Sequence, residues 1–224
     1  MHYSNRMLVF LLVVLGTVSS SAQTRRENEP DCNQHSARKM EIADADATIL
    51  DLAIGRASLK DVQAKLGSAK VTRVSSEEES DIGICYVSPA DGTVLVFYSG
   101  AMGGWKDITW FALWSRTAAF PHTSQCTPSA KVSQSLSTRS GLRLGLRQAQ
   151  LKEIVGTPTT VEGSSVKYDY VCRQRMTDEE VKSFKAVNNW DVTSNPYFDR
   201  MSWIEVHFTN AAASRIEIGK TDSY

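Results

Sequence analysis

The sequence is poor in the motifs that carry most enzyme chemistry, and it has no net charge. Its four histidines and four cysteines form neither a C-x-x-C nor an H-x-x-x-H pair, which excludes the common zinc-site spacings. The G-x-S-x-G and H-E-x-x-H signatures and a phosphate-binding loop are absent too. The 25 basic residues balance the 25 acidic ones, so no electrostatic attraction to nucleic acid is expected. We therefore predict a non-enzymatic protein without a metal or another cofactor.

The chain also lacks an apolar run long enough to span a membrane, which needs about 20 residues. Residues 7–15 are apolar, Arg6 precedes them, and Ser20, Ser21 and Ala22 follow them. This arrangement is typical of a secretory signal peptide. We predict that residues 1–22 are cleaved and that residues 23–35 form a flexible N-terminal segment. The mature protein is then expected to be secreted or periplasmic, without stable membrane insertion.

Two stretches of the remaining sequence echo each other. Residues 50–69 and residues 141–158 each carry an apolar residue, a glycine, a short amphipathic helix pattern and a second glycine. Runs of apolar and β-branched residues follow both stretches, as in β-strands. The sequence therefore predicts an α+β fold of two tandem units, each with short helices packed on an antiparallel β-meander.

The predicted units have defined bounds. The first unit covers residues 36–116, a linker covers residues 117–140, and the second unit covers residues 141–224. Matching strands lie further apart in the sequence than matching helices, which indicates a helical insertion at about residues 176–200 of the second unit. Capping residues predict helices over residues 37–52, 59–66, 148–155 and 178–187. Alternating residues predict strands over residues 71–75, 82–87, 93–99, 106–115, 166–173, 202–209 and 215–218.

The four cysteines of an exported chain are expected to form disulfides. Cys32 and Cys126 each precede one of the repeated helix blocks, and Cys85 and Cys172 lie in equivalent strands after them. This symmetry favours the pairs Cys32–Cys85 and Cys126–Cys172. A bond between Cys85 and Cys126 is the alternative.

The repeated blocks carry a family resemblance. Ile54-Gly55 with Leu66-Gly67, and Leu144-Gly145 with Val155-Gly156-Thr157-Pro158, resemble the BamE-like family, the SmpA/OmlA outer-membrane assembly lipoproteins. In tandem, the blocks resemble the beta-lactamase inhibitor proteins. The resemblance covers most of the mature chain, and it implies a helical layer packed on a sheet whose other face is free for partners. The sequence departs from these families in two ways, because it lacks the lipid-anchor cysteine and matches none of the inhibitors' contact loops.

The strand patterns place a candidate binding surface on the predicted sheet. If Val206 packs under the helices, then Trp203, Glu205 and His207 face away from them. The same register turns Phe97 away from the helices in the first unit. The candidate binding residues are Phe97, Trp110, Trp114, Trp203, Glu205 and His207. Their aromatic members either bind a partner protein or are buried where the two units pack on each other.

These observations lead to three hypotheses. The first is an exported protein-binding module of the cell envelope, whose sheet face or inter-repeat groove binds another protein. The second is a hydrolase of unknown type that uses Glu205 and His207, which requires both residues in a pocket beside a serine or a water. The third is a structural envelope protein whose aromatic residues are buried between the units.

Overall fold

The structure is a computed structural model that describes residues 31–32, 41–75, 80–100, 103–188, 192–193 and 196–223. The predicted signal peptide and most of the predicted N-terminal segment lie outside the described residues. Within the described ranges, no helix is both long enough and apolar enough to cross a bilayer.

The fold is built on one large, mostly antiparallel sheet. Its strands, together with those of a small ribbon, are β1 (Thr48–Ile49), β2 (Leu52–Ala53), β3 (Thr72–Ser75), β4 (Ser80–Val87), β5 (Val94–Ser99), β6 (Trp110–Trp114), β7 (Thr127–Pro128), β8 (Thr160–Glu162), β9 (Ser165–Arg175), β10 (Tyr197–Thr209) and β11 (Ala212–Ser223). The sheet order is β3-β4-β5-β6-β11-β10-β9-β8, and β7 pairs with β4 in parallel. Strands β1 and β2 form the separate ribbon. Helices and antiparallel strands together confirm the α+β class.

The helices α1 (Leu59–Leu66), α2 (Gln148–Val155) and α3 (Asp178–Asn188) confirm the predictions made at these positions. Helix α1 begins at its predicted capping box. The Ser58 hydroxyl accepts from the Asp61 N–H at 3.2 Å, and the Asp61 carboxylate accepts from the Ser58 N–H at 2.8 Å. Helices this short are stable only when an apolar side packs on other elements, and the apolar side of α1 is buried.

Helices α1 and α2 cover one face of the sheet, which we call the inner face, and the opposite face is the outer face. Alternate strand residues point inward and form one core with the helices. The large side chains that the sheet contributes to this core include Ile84, Tyr86, Leu95, Phe97, Phe111, Leu113, Val166, Tyr168, Ile204, Val206, Ile216 and Ile218. The core runs without a break from β4 to β9, so both helices lie over a single sheet.

The two halves of the sheet join edge to edge and carry matching contacts. Strand β6 of the first half pairs with β11 of the second half. The Gly55 N–H donates to the Ile108 carbonyl at 2.8 Å, and the Gly145 N–H donates to the Ala213 carbonyl at 2.8 Å. Both glycines have positive φ, 74° and 81°, a conformation that glycine adopts without strain. The tryptophans of β6 therefore do not lie between two stacked units.

The predicted helix over residues 37–52 is wrong where the structure describes it. Residues 41–53 form turns and the β1–β2 ribbon, and residues 37–40 lie outside the described part of the chain. Leu50 and Asp51 have φ of 53° and 63°, which is incompatible with a right-handed helix. The Asp46 carboxylate accepts from the Ala43 N–H at 3.2 Å, a local bond of the kind that competes with helix formation.

The segment predicted as a linker, residues 117–140, packs closely on the sheet. Its strand β7 lies beside β4, and the Ser129 N–H donates to the Val87 carbonyl at 2.9 Å. Val132 is 1% exposed and belongs to the inner core, and Leu136 packs against this core. The segment is therefore part of the folded body.

The disulfides join Cys32 to Cys172 and Cys85 to Cys126. The symmetric pairing is therefore wrong, and the alternative Cys85–Cys126 bond is confirmed. Cys32 reaches the second half because its segment runs beside β9, where the Cys32 N–H donates to the Arg173 carbonyl at 2.8 Å. Cys126 meets Cys85 because β7, which follows it directly, pairs with β4.

Candidate functional site

The outer face of the sheet brings together all the candidate binding residues except Phe97. Trp110 and Trp114 lie on the outer face of β6. On β10, Trp203, Glu205 and His207 alternate with core residues and point outward. The register predicted for β10 is therefore confirmed.

Phe97 points to the inner face and is fully buried, with its ring centroid 6.0 Å from that of Phe111. The register predicted for β5 is wrong because all six residues of this strand are buried. A strand that is apolar on both faces shows no alternation, so the sequence cannot reveal which side chains point to which face. The outer positions of β5 are Val94, Val96 and Tyr98.

Aromatic rings form a row across the outer face, perpendicular to the strands. Trp203, Gly219, Trp110, Tyr98 and Gly83 are successive register partners on β10, β11, β6, β5 and β4. The Trp203 ring lies over Gly219, where a Cβ atom would stand 2.1 Å from the ring. Trp110 stacks on Tyr98 with ring centroids 3.5 Å apart, and Tyr98 leans over Gly83. We call the rings of Tyr98, Trp110 and Trp203 the aromatic row.

Trp114 lies further along β6 and is held by its own contacts. Phe120 packs edge-on against it, with ring centroids 5.3 Å apart, and the Arg215 guanidinium lies 4.2 Å from its ring centroid. The Cys85–Cys126 disulfide belongs to the same apolar cluster. The buried indole nitrogen of Trp114 has no hydrogen-bond partner among the described residues. These contacts make Trp114 part of the packing of the outer face.

Glu205 is the centre of a polar group beside the aromatic row. Its carboxylate accepts from the Ser165 hydroxyl at 3.2 Å and lies 3.6 Å from the Lys167 ammonium and 2.9 Å from His207 Nε2. The carboxylate stands between the hydroxyl and the imidazole, whereas an activated serine needs the imidazole beside it. The His207 side chain is 32% exposed on an open face rather than enclosed in a pocket. This arrangement does not turn Ser165 into a nucleophile.

A cleft of about 540 Å³ opens on the inner side, at the ends of β10 and β11. Most of its charged groups pair with one another: Lys220 Nζ lies 3.3 Å from both Glu41 and Asp44, and Arg200 Nε lies 3.1 Å from Asp222. The hydrogen bond from Lys220 lowers the pKa of Asp44 below its ordinary value. In the part of the chain that the structure describes, no group of three or more His, Cys, Asp or Glu side chains is arranged to hold a metal.

Sequence reasoning missed three residues of the outer face, Tyr98, Met201 and Gly219. Met201 is 38% exposed and precedes Trp203 on the outward-pointing side of β10. Tyr98 was missed because the register predicted for β5 was wrong. Gly219 did carry a signal, because a glycine inside a strand often marks the close approach of another group.

Known proteins show little similarity to this chain. No protein-family model matches it, and no curated protein matches it. A solved crystal structure described as a "putative beta-lactamase inhibitor protein" from Streptococcus mutans is similar with a TM-score of 0.25 and 12% sequence identity. The alignment covers 82% of this chain and 90% of that chain. A TM-score at this level establishes neither the fold nor the function of this chain.

Proposed function

We propose that the protein is an exported, non-enzymatic binding module of the cell envelope, which holds another protein on the outer face of its sheet. The proposal includes two tandem α+β units similar to the BamE-like and inhibitor proteins. The Tyr86 hydroxyl donates to the Gly67 carbonyl at the end of α1, and the Tyr168 hydroxyl donates to the Gly156 carbonyl at the end of α2. These equivalent contacts support the two-unit architecture. The two disulfides support export, because disulfides persist in oxidising compartments.

The observation that carries this proposal is the aromatic row. The Trp110 and Trp203 rings are half-buried on the face that α1 and α2 do not cover, and the exposed Met201 precedes Trp203 on the same side of β10. An antiparallel sheet that faces water normally places polar residues on that face. Tryptophan, tyrosine and methionine in such a position are typical of protein interfaces.

The rings of the row are also held by packing contacts, which favours binding. The Trp203 ring packs directly over Gly219, and the stacking of Trp110 on Tyr98 holds both of those rings in place. A side chain that is already ordered loses little conformational entropy when a partner covers it. Binding energy from the buried rings is then available as affinity, as at the tryptophan and tyrosine positions that dominate many interfaces.

Capture experiments with the immobilised mature chain test this proposal. An envelope extract from cells that make the protein is passed over the native chain, a Trp110→Ala/Trp203→Ala double variant and a Trp105→Ala control. Trp105 is 43% exposed and lies in the loop before β6, outside the row. We expect the native chain and the control to retain the same partner, and the double variant to bind it at least about tenfold more weakly.

The retained partner is then identified and titrated against each purified variant, after circular dichroism has shown that the variant is folded. Equal affinity for the native chain and the double variant would contradict a binding role for the outer face. Retention of no partner by the native chain would contradict it as well and would favour the purely structural hypothesis.

A further inference from the structure

We infer that the aromatic row binds a proline-rich segment of the partner protein, which lies across the strands in the polyproline II conformation. This inference rests on the proposed function, because the same rings make the contact. It adds the chemistry of the partner and the direction in which the bound chain runs. Three properties of the outer face lead to it: the spacing of the rings, the pairing of the neighbouring charges, and an acidic group at one end of the row.

The spacing of the row matches the repeat of a polyproline II helix. Trp203 and Trp110 lie two strands apart on the sheet, which corresponds to about 9.6 Å. Trp203 leans from β10 over β11 and Tyr98 leans from β5 over β4, so the rings tilt in the same direction along the row. A polyproline II helix advances about 9.3 Å in each turn of three residues. Prolines three positions apart therefore meet successive tryptophans of the row.

The surroundings of the row suit an apolar, extended peptide. Met201 and Val171 border one side of it. On the other side, Glu205 is already held by Lys167 and its neighbours. A sugar ring could also stack on these tryptophans, but its hydroxyls need polar partners, and burying a polar group without one is costly. Proline rings have no hydroxyl groups that need hydrogen-bond partners, and a preformed polyproline II helix loses little conformational entropy when it binds.

Glu217, which also lies beside the row, forms an ion pair with Arg215.

The acidic residue at the β9 end of the row is not paired in this way. Asp169 is the register partner of Trp203, its side chain is exposed, and its carboxylate accepts at 3.5 Å from the Thr159 hydroxyl. No ion pair to Asp169 occurs among the described residues. This carboxylate is therefore placed to receive a basic residue that flanks the proline run.

The row also sets the length of the bound segment. Tyr98 is only 4% exposed, so the accessible contact runs from Asp169 on β9 to Trp110 on β6. Three strand intervals separate β9 from β6, which is about 14 Å. At about 3.1 Å per residue, a polyproline II segment of about five residues covers that distance. A blocked polyproline peptide of at least this length is therefore the probe.

Tryptophan fluorescence titrations of the mature chain with this peptide test the inference. Matched probes carry a terminal arginine, or have glycine and serine in place of proline. We expect saturable binding of the polyproline peptides only. Gly219→Ala should weaken this binding at least about tenfold, because the new Cβ displaces the Trp203 ring from its position over residue 219. Trp105→Ala should not change the binding. The arginine should strengthen binding about two- to fivefold, and Asp169→Asn should abolish that gain.

The indole N–H resonances of the native chain, followed by NMR, provide a second measurement that does not depend on whether any variant folds. The Trp110 and Trp203 signals should shift as the polyproline peptide is added, and the Trp105 signal should not. Equal binding of the glycine–serine peptide, no saturable binding of polyproline, or tighter binding of a neutral oligosaccharide would each overturn the inference. If partner capture still depends on Trp110 and Trp203 in these cases, the proposed function stands and only the proline-rich ligand is rejected.

Discussion

The Asp91 carboxylate ties the turn between β4 and β5 to a distant segment. Its Oδ1 accepts from the Thr93 N–H at 2.9 Å, and its Oδ2 accepts from the Gln134 N–H at 2.8 Å. Partial burial acts to raise the pKa of Asp91, but the hydrogen bonds outweigh it and lower the pKa from 3.8 to about 2. The ionised carboxylate therefore stabilises the folded state.

Asp91→Ala should lower the free energy of unfolding at neutral pH by about 1 kcal/mol, a value that allows for solvent screening of a partly exposed group. Because the folded pKa of about 2 lies below the unfolded value of 3.8, this contribution is complete above about pH 5 and is lost progressively as the pH falls to about 2. Urea unfolding of both proteins across this range measures it. Glu153→Ala, an exposed change on α2, is the control. A difference that does not vary between pH 4 and pH 2 would contradict a role for the charge.

At the scale of elements, the sequence predicts features that depend on near neighbours. The Ser58 and Asp61 capping box is local, so the start of α1 could be predicted from residue types and spacing alone. Strand β10 alternates, so the outward direction of Trp203 could be predicted too. Strand β5 does not alternate, so the direction of Phe97 is decided by tertiary packing. The packing of Trp203 over Gly219 depends on the register in which β10 pairs with β11, and no local sequence pattern specifies that register.

Removing the tyrosine hydroxyls at the ends of α1 and α2 should destabilise the protein at equivalent points. Tyr86→Phe loses a 2.6 Å bond to Gly67 and should cost about 1 kcal/mol, whereas Tyr168→Phe loses a 3.3 Å bond to Gly156 and should cost less. Chemical denaturation measures both differences.

Tyr197→Phe is the matched control, because no hydrogen bond to the Tyr197 hydroxyl occurs among the described residues. Variants of Tyr86 and Tyr168 that are as stable as this control would show that the hydroxyls do not fasten the helices to the sheet.

At the scale of the whole molecule, the two halves depend on each other through contacts between distant parts of the chain. Strands β6 and β11 join them, and the inner core continues beneath α1 and α2. The repeat in the sequence predicts two similar units but carries no information on which edges meet. The Cys32–Cys172 bond is a further long-range link, and the symmetry of the repeat pointed to a different pair.

The two disulfides should differ in how much they stabilise the fold. Cys32–Cys172 joins residues 140 apart in sequence, and Cys85–Cys126 joins residues 41 apart. In the chain-entropy account, the longer loop restricts the unfolded chain more, so replacing both cysteines of a pair by alanine should cost about 5 kcal/mol for the first bond and about 4 kcal/mol for the second. Urea unfolding of the two double variants, with peptide mapping of the native bonds, measures this order. A larger loss for Cys85–Cys126 would contradict control by loop length, and it would mean that holding Cys126 in the cluster around Trp114 contributes more than restricting the unfolded chain.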